Sequence, residues 1–263
     1  MVGGLTVGDF KRGLDEFKWD ALKRLANEGD NWWTDLLSLW VPSGQPADDH
    51  DGPGLRFALR NGYLNFYRRG QSVARVCCGQ RRNGRVDARM EIHAKYVWDN
   101  GAPDKYAQVN ERDVMCGGLE PVEYAGLSTL KGWIARSEDW AGKEKCGVDM
   151  VVGANPTVID LEMGIPAWGA RKSALRVDIV ALDGTDAEPQ LVLWEAKPLH
   201  AGALRARNGN AQIIAQMADY QEYLASPVHR RHLSEAYRST CCALVKLAEM
   251  AGSRPMLVVV LKL

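Results

Sequence analysis

Two apolar runs in the second half of the chain, SALRVDIVALDG and QLVLWEAKP, are separated by turn-forming residues and read as neighbouring strands. Each carries charge where burial would exclude it. Asp178 stands between Val177 and Ile179, and Glu195 and Lys197 interrupt the second run. Side chains alternate across a strand, so Glu195 and Lys197 share one face while Trp194 and Ala196 take the other. A hairpin of these strands would bring Asp178 and Glu195 together at one end of a sheet. Two adjacent carboxylates repel unless a hard divalent cation lies between them, and magnesium, which favours carboxylate, water and phosphate oxygen, is the natural candidate. The Lys197 ammonium beside it would orient a water nucleophile and offset charge growing on a phosphoryl group. The alternative is a metal-free buried salt-bridge cluster, which carries the cost of desolvating three charges.

The flanking elements are readable too. LSTLKGWIARSEDWAGKEKCGVDMVVGAN is largely helical and stops at Asn155-Pro156; TVIDLEMGIPAW then gives a strand ahead of the pair. NAQIIAQMADYQEYLA is a helix, a further helical stretch runs from about 229 to 250, and MLVVVLKL is a continuous apolar run suited to a buried strand. Gln216 and Tyr220 lie one turn apart on one helical face.

An Asp in one strand, Glu-x-Lys in the next and Gln216-Met-Ala-Asp-Tyr220 on the following helix resemble the active site of the PD-(D/E)xK nuclease superfamily, RecB-like branch. The resemblance covers roughly half the chain and includes the order helix, three strands, helix, strand. It implies an α/β (α+β) restriction-endonuclease-like core with a mixed sheet flanked by helices. It also implies Asp178 and Glu195 as ligands of Mg²⁺ or Mn²⁺, Lys197 as the catalytic lysine, and Gln216 and Tyr220 as supports of the site. A helix-borne Glu usually completes such a site; Glu144 is the first candidate, Glu138 the second and strand-borne Glu162 the third. Val177 replaces the proline that often precedes the Asp.

The first half reads differently. GDFKRGLDEFKWDALKRLANEGD places Phe10, Leu14, Phe17, Ala21 and Leu25 at helical spacing. Trp32, Trp33 and Trp40 beside Leu36 and Leu37 read as core rather than as a base-stacking platform. Hairpin signals at Asn61-Gly62 and Arg69-Gly70 suggest an antiparallel meander over 55–98, and residues 99–126, rich in Gly, Pro and charge, suggest a linker. The expected organisation is 1–125 as a helix plus basic β module and 126–263 as the nuclease-like domain.

Net charge is zero but uneven, with −5 over 1–55, +8 over 56–95, −7 over 96–200 and +4 over 201–263. The basic segment is either a solvated Arg-rich face or a docking surface for a polyanion. In the second reading Arg68, Arg69, Arg81 and Arg82 hold a phosphate backbone, joined by Arg205 and Arg207 in the loop after the Glu-x-Lys strand. Six cysteines without zinc spacing fit buried, reduced thiols, and the histidines have no metal spacing. No window approaches the roughly 18 apolar residues of a membrane span, so a cytoplasmic protein with no membrane partner is expected. The expected function is metal-dependent hydrolysis of nucleic acid, with DNA the expected substrate, by in-line attack of metal-activated water. The alternatives are a nucleic-acid-binding protein on the same fold that is inactive or partner-dependent, and a module whose basic face binds an acidic protein. Cutting both strands with one site per chain would favour a homodimer.

Overall fold

A computed structural model describes residues 10–48, 52–80, 86–98, 104–110, 112–169, 174–185, 187–206 and 209–252. The apolar run at 256–263 lies outside the described residues, as do Arg81, Arg82 and Arg207. Among the described residues the chain is an α+β protein with two antiparallel sheets.

The first sheet takes its strands in sequence order: β1 (Arg56–Leu59), β2 (Tyr63–Arg68), β3 (Gln71–Gln80), β4 (Val86–His93), β5 (Tyr106–Val109), β6 (Asp113–Met115) and β7 (Val122–Glu123). The first two turns use the expected signals, with Gly62 at φ 85° and Gly70 at φ 68°, a region open to glycine at no steric cost. The linker expected at 99–126 is corrected: three short strands there extend the meander. At four, three and two residues they are too short to leave a periodic pattern. Alternation gives the sheet two unlike faces. Leu64, Phe66, Val76, Met90 and Ile92 enter the main core, whereas Asn65 pairs with Arg75, and His93 with Tyr106, on the polar face.

Helices α1 (Glu16–Glu28), α2 (Trp32–Leu39) and α4 (Leu127–Ser137) contribute to that core, and α3 (Ala94–Val97) links β4 to β5. The apolar face of α1 is the expected one in part: Ala21 is buried and Leu14 and Leu25 pack against the core. The helix begins at Glu16, buries Trp19 and Leu22 and leaves Phe17 43% exposed, while Phe10, ahead of it, packs on Tyr237. Asn31 and Thr34 form a capping box that starts α2, and Trp32, Trp33 and Trp40 are buried in the core as read.

The second sheet has the order β10 (Glu188–Trp194), β9 (Leu175–Thr185), β8 (Val158–Ile165). It is antiparallel throughout the described residues; the mixed sheet expected from the resemblance would need the run at 256–263. Helix α5 (Lys143–Ala154) follows a break at Gly142, and α6 (Gln212–Ala225) leads into α7 (Pro227–Met250). Helix α7 serves both cores: Leu233, Ala236 and Tyr237 pack beside the second sheet, and Ala243, Leu247 and Ala248 beside the first.

Buried ion pairs tie the first sheet to the second sheet and to α5. Arg60 donates to Asp160 at 2.7 Å and to the Leu161 carbonyl at 2.6 Å, and Arg56 donates to Asp149 at 3.0 Å. Tyr237 donates to the other Asp160 oxygen at 3.0 Å. Removing one partner of such a pair strands the other as a buried charge. Asp160→Asn is therefore expected to cost about 3–5 kcal/mol, read as a lower urea midpoint. Lys246→Gln, which breaks an exposed pair with Glu16, is expected to cost under about 1 kcal/mol.

Candidate active site

The β9–β10 hairpin forms as the sequence suggested, with Trp194 opposite Ile179 at its end. Strand pairing stops there, so Glu195 to Lys197 lie just beyond the ladder. Asp178 takes over the role of the missing strand partner, its Oδ2 accepting the Ala196 N–H at 2.8 Å. The alternation persists past the strand end. Trp194 and Ala196 pack against Val148, Val152 and Val158, and Lys197 reaches back to Glu195 on the other side.

Lys197 Nζ stands 2.7 Å from Glu195 Oε1, 2.9 Å from Glu144 Oε1, 3.2 Å from the Ala196 carbonyl and 3.9 Å from Asp178 Oδ2. Glu144, in the first turn of α5, is thus the helix-borne carboxylate that joins the cluster. Glu138 is elsewhere, in a 3-10 turn, paired with Arg68 and Arg69. Glu162 lies on β8 at φ 52°, paired with Arg176 at 3.1 Å and close enough to push the Asp178 pKa upward.

Gln216 and Tyr220 join the same assembly. Gln216 Nε2 donates to the Tyr220 hydroxyl at 2.9 Å, and that hydroxyl lies 2.8 Å from Glu195 Oε2 and 2.5 Å from the Arg176 carbonyl. It has one proton for two acceptors, of which the carboxylate is the stronger. Both Glu195 oxygens are therefore held, one by Lys197 and one facing Tyr220, and its side chain is only 4% exposed.

The electrostatics follow from this crowding. Burial pushes Asp178 up, the Ala196 N–H pulls it down and the Glu195 charge pushes it up again, with a net value of about 6. Burial alone would lower Lys197, but its bonds to Glu195 and Glu144 outweigh that and hold its pKa above the usual lysine range. Among the described residues, no group of three or more His, Cys, Asp or Glu side chains stands at metal-binding geometry. Magnesium asks for less: one or two carboxylates, with water and phosphate completing its shell. Asp178 and Glu195 are hard oxygen donors of that kind, with Glu195 already engaged by Lys197 and Tyr220 and Asp178 by the Ala196 N–H.

The sequence-assigned phosphate contacts fare unevenly. Arg68 is 4% exposed and bound to Glu138 at 2.6 Å and to Asp48, and Arg69 pairs with the same two carboxylates. The Arg68 charge is thus held by two carboxylates rather than open to solvent. Arg205 is exposed at the end of a 3-10 turn. The sequence reading missed a polar cleft of about 410 Å³ between the polar face of the first sheet and the second sheet, lined in part by Arg75, Lys95, Lys145, Glu162 and Arg176. Those residues come from five separate elements, so no local pattern announces them.

No family model, no curated protein and no solved structure matches the chain. Among the described residues no helix is long and apolar enough to cross a membrane.

The folded-state pKa of Asp178 lies above the 3.8 of a free carboxyl, so the native chain binds this proton more tightly than the unfolded one. Ionising the group costs stability, and the cost is complete above about pH 6. Asp178→Asn keeps an acceptor for Ala196 and is expected to stabilise the metal-free protein at pH 8 by about 1–2 kcal/mol, allowing for solvent screening. The gain should fade as the pH falls through 6, and Mg²⁺ should raise the Tm of the wild type but not of the variant. Thermal unfolding across pH, with EDTA or Mg²⁺, reads both effects.

Proposed function

We propose that this chain is a metal-dependent nuclease of the PD-(D/E)xK type that hydrolyses phosphodiester bonds of nucleic acid, with DNA the expected substrate. One observation carries the reading. Asp178, Glu195 and Lys197 converge at the end of a hairpin, and the tyrosine of Gln216-x-x-x-Tyr220 reaches Glu195 from the next helix. That is the relation of parts the resemblance requires, and a salt-bridge cluster without a task would not need the helix-borne pair.

A bound Mg²⁺ or Mn²⁺ ion, held by Asp178 and Glu195, would supply the acidity that makes water nucleophilic at neutral pH and positive charge for the phosphoryl oxygens. The chain's own groups do the rest. Lys197 remains protonated, so it acts as a donor and a positive charge rather than as a base. Its three N–H groups already have acceptors in Glu195, Glu144 and the Ala196 carbonyl. A water or phosphate oxygen must displace one of them. Glu144, whose side chain is 44% exposed against 4% for Glu195, is the acceptor that yields. Tyr220 and Gln216 keep Glu195 oriented while that exchange takes place.

The second reading, a nucleic-acid-binding protein without its own chemistry, is favoured by the Lys197 ammonium filling the space among the carboxylates. Incubating the purified chain with circular and linear DNA in Mg²⁺ or Mn²⁺, beside Lys197→Ala and an EDTA control, separates the two. Metal-dependent cutting is expected, reduced about 10²–10³-fold in the variant. A wild type as inert as the variant in both metals would sink the nuclease reading.

Tyr220→Phe removes the hydroxyl that faces Glu195 and leaves the ring in place. The Mn²⁺ concentration needed for half-maximal cleavage is expected to rise about 10- to 100-fold, with the rate at saturating metal changed less. An unchanged metal requirement would reduce Tyr220 to a packing residue.

A further inference from the structure

The cleft beside the carboxylate cluster has an unusual inventory of polar groups. Arg75, Lys95 and Lys145 line it, and none of the three is in an ion pair among the described residues. Arg75 is held by aromatic faces instead of a carboxylate, its guanidinium 3.7 Å from the Tyr106 ring centre and 5.4 Å from that of Tyr63. Such stacking fixes the group without neutralising it. Its Nε is buried with no hydrogen-bond partner, and so is the hydroxyl of Tyr96, a fully buried residue that also lines the cleft. Lys145 donates only to the Gly70 carbonyl, and Lys95 lies 4.6 Å from the ring of Trp140, which is 56% exposed.

Guanidinium and ammonium groups are donors only, so a ligand that satisfies this set must be rich in acceptors and negatively charged. The one carboxylate among the lining residues, Glu162, is already paired with Arg176. A cleft of about 410 Å³ lies at the small end of ligand sites, roughly 300–1,000 Å³, which suits one nucleotide and excludes a double helix. Trp140 lies outside the lining residues, next to Lys95, and the face of its exposed ring away from Lys95 is open to a base. The cleft and the cluster also share elements: Glu144 and Lys145 are consecutive on α5, and Arg176, which lines the cleft, gives its carbonyl to Tyr220.

We infer that this cleft takes one unpaired nucleotide of the substrate strand, its phosphate on Arg75, Lys95 and Lys145 and its base beside Trp140, so that the substrate is single-stranded or frayed at the point of entry. The inference rests on the nuclease reading for the word substrate, but the binding site itself stands on the cleft.

The test is binding in EDTA, where no cleavage occurs, followed by Trp fluorescence and calorimetry. The probes are deoxyadenosine 5′-monophosphate, deoxyadenosine, inorganic phosphate, a single-stranded oligonucleotide and the blunt duplex of the same sequence. The monophosphate is expected to bind at least tenfold more tightly than the nucleoside or inorganic phosphate, and the single strand at least tenfold more tightly than the duplex. Arg75→Gln with Lys95→Gln, or Lys145→Gln alone, should weaken the first and fourth probes tenfold or more without lowering Tm. Lys246→Gln removes one charge outside the cleft and should leave binding unchanged. Duplex binding equal to that of the single strand, inorganic phosphate binding as tightly as the nucleotide, or indifference to the cleft variants would overturn the inference. Cleavage that fails while these affinities hold would remove the nuclease reading and leave the nucleotide site standing.

Discussion

The structure depends first on the buried pair of Arg60 and Asp160. Arg60 follows β1 of the first sheet, and Asp160 sits in β8 of the second, with a side chain that has no exposure at all. Three further groups converge on Asp160: the Leu161 N–H at 2.8 Å, the Tyr237 hydroxyl from α7 and the Arg12 guanidinium at 3.7 Å. Burial favours the neutral form of Arg60, but the Asp160 charge outweighs it and keeps the guanidinium protonated. Neither half of such a pair can be buried alone without a large desolvation penalty. The two sheets therefore stabilise each other across this seam, and the buried Arg56–Asp149 pair ties β1 to α5 in the same way. A basic segment and an acidic one that looked unbalanced in the chain neutralise each other in space.

The candidate site inherits its geometry from this seam. The register of β8 shifts between Val158 and Asp160, and two residues later Glu162 adopts φ 52°, which a residue with a side chain rarely takes. Asp160 is turned toward Arg60 and Tyr237, and Glu162 toward Arg176. Helix α5 is fixed in the same way. Asp149, bound by Arg56, anchors its middle, and its first turn delivers Glu144 to Lys197 and Lys145 to the cleft. Loosening the seam would thus be felt at the carboxylates, although none of its ion pairs belongs to them.

What the sequence revealed and what it hid divide along a physical line. Asp178, Glu195 and Lys197 were legible because charge in an apolar strand is costly and strand alternation is strict. Their convergence follows from a hairpin whose turn is visible. Tyr220 was legible by its spacing from Gln216, and Glu144 only by its place on the preceding helix. The destinations of the arginines were not legible. Arg56, Arg60 and Arg68 look like surface cations in a chain of zero net charge, and their partners lie roughly 70 to 100 residues away. No local pattern reports such long-range pairing. The short strands over 106–123 were missed for the opposite reason, being too brief to show alternation. Phe10 and Phe17 depart from the expected α1 face because the helix begins only at Glu16, which rotates Phe17 outward and leaves Phe10 ahead of it on Tyr237.

The neutral total charge also shapes how a polyanion would meet this surface. A chain without net charge exerts little attraction beyond a Debye length, about 8 Å at physiological ionic strength. The carboxylate cluster taken alone would repel phosphate. The cations that offset it are concentrated next door, in a cleft whose walls include low-dielectric aromatic rings. Field lines are focused where charge of one sign lies in a concave, partly apolar setting. Under the proposed reading, attraction would be local and directional: a strand would be drawn in only where its phosphate can enter the cleft, against the helix that also carries Glu144. On that reading the labour is divided between a neighbouring pocket that would attract the anion and a cluster too acidic to hold it unaided.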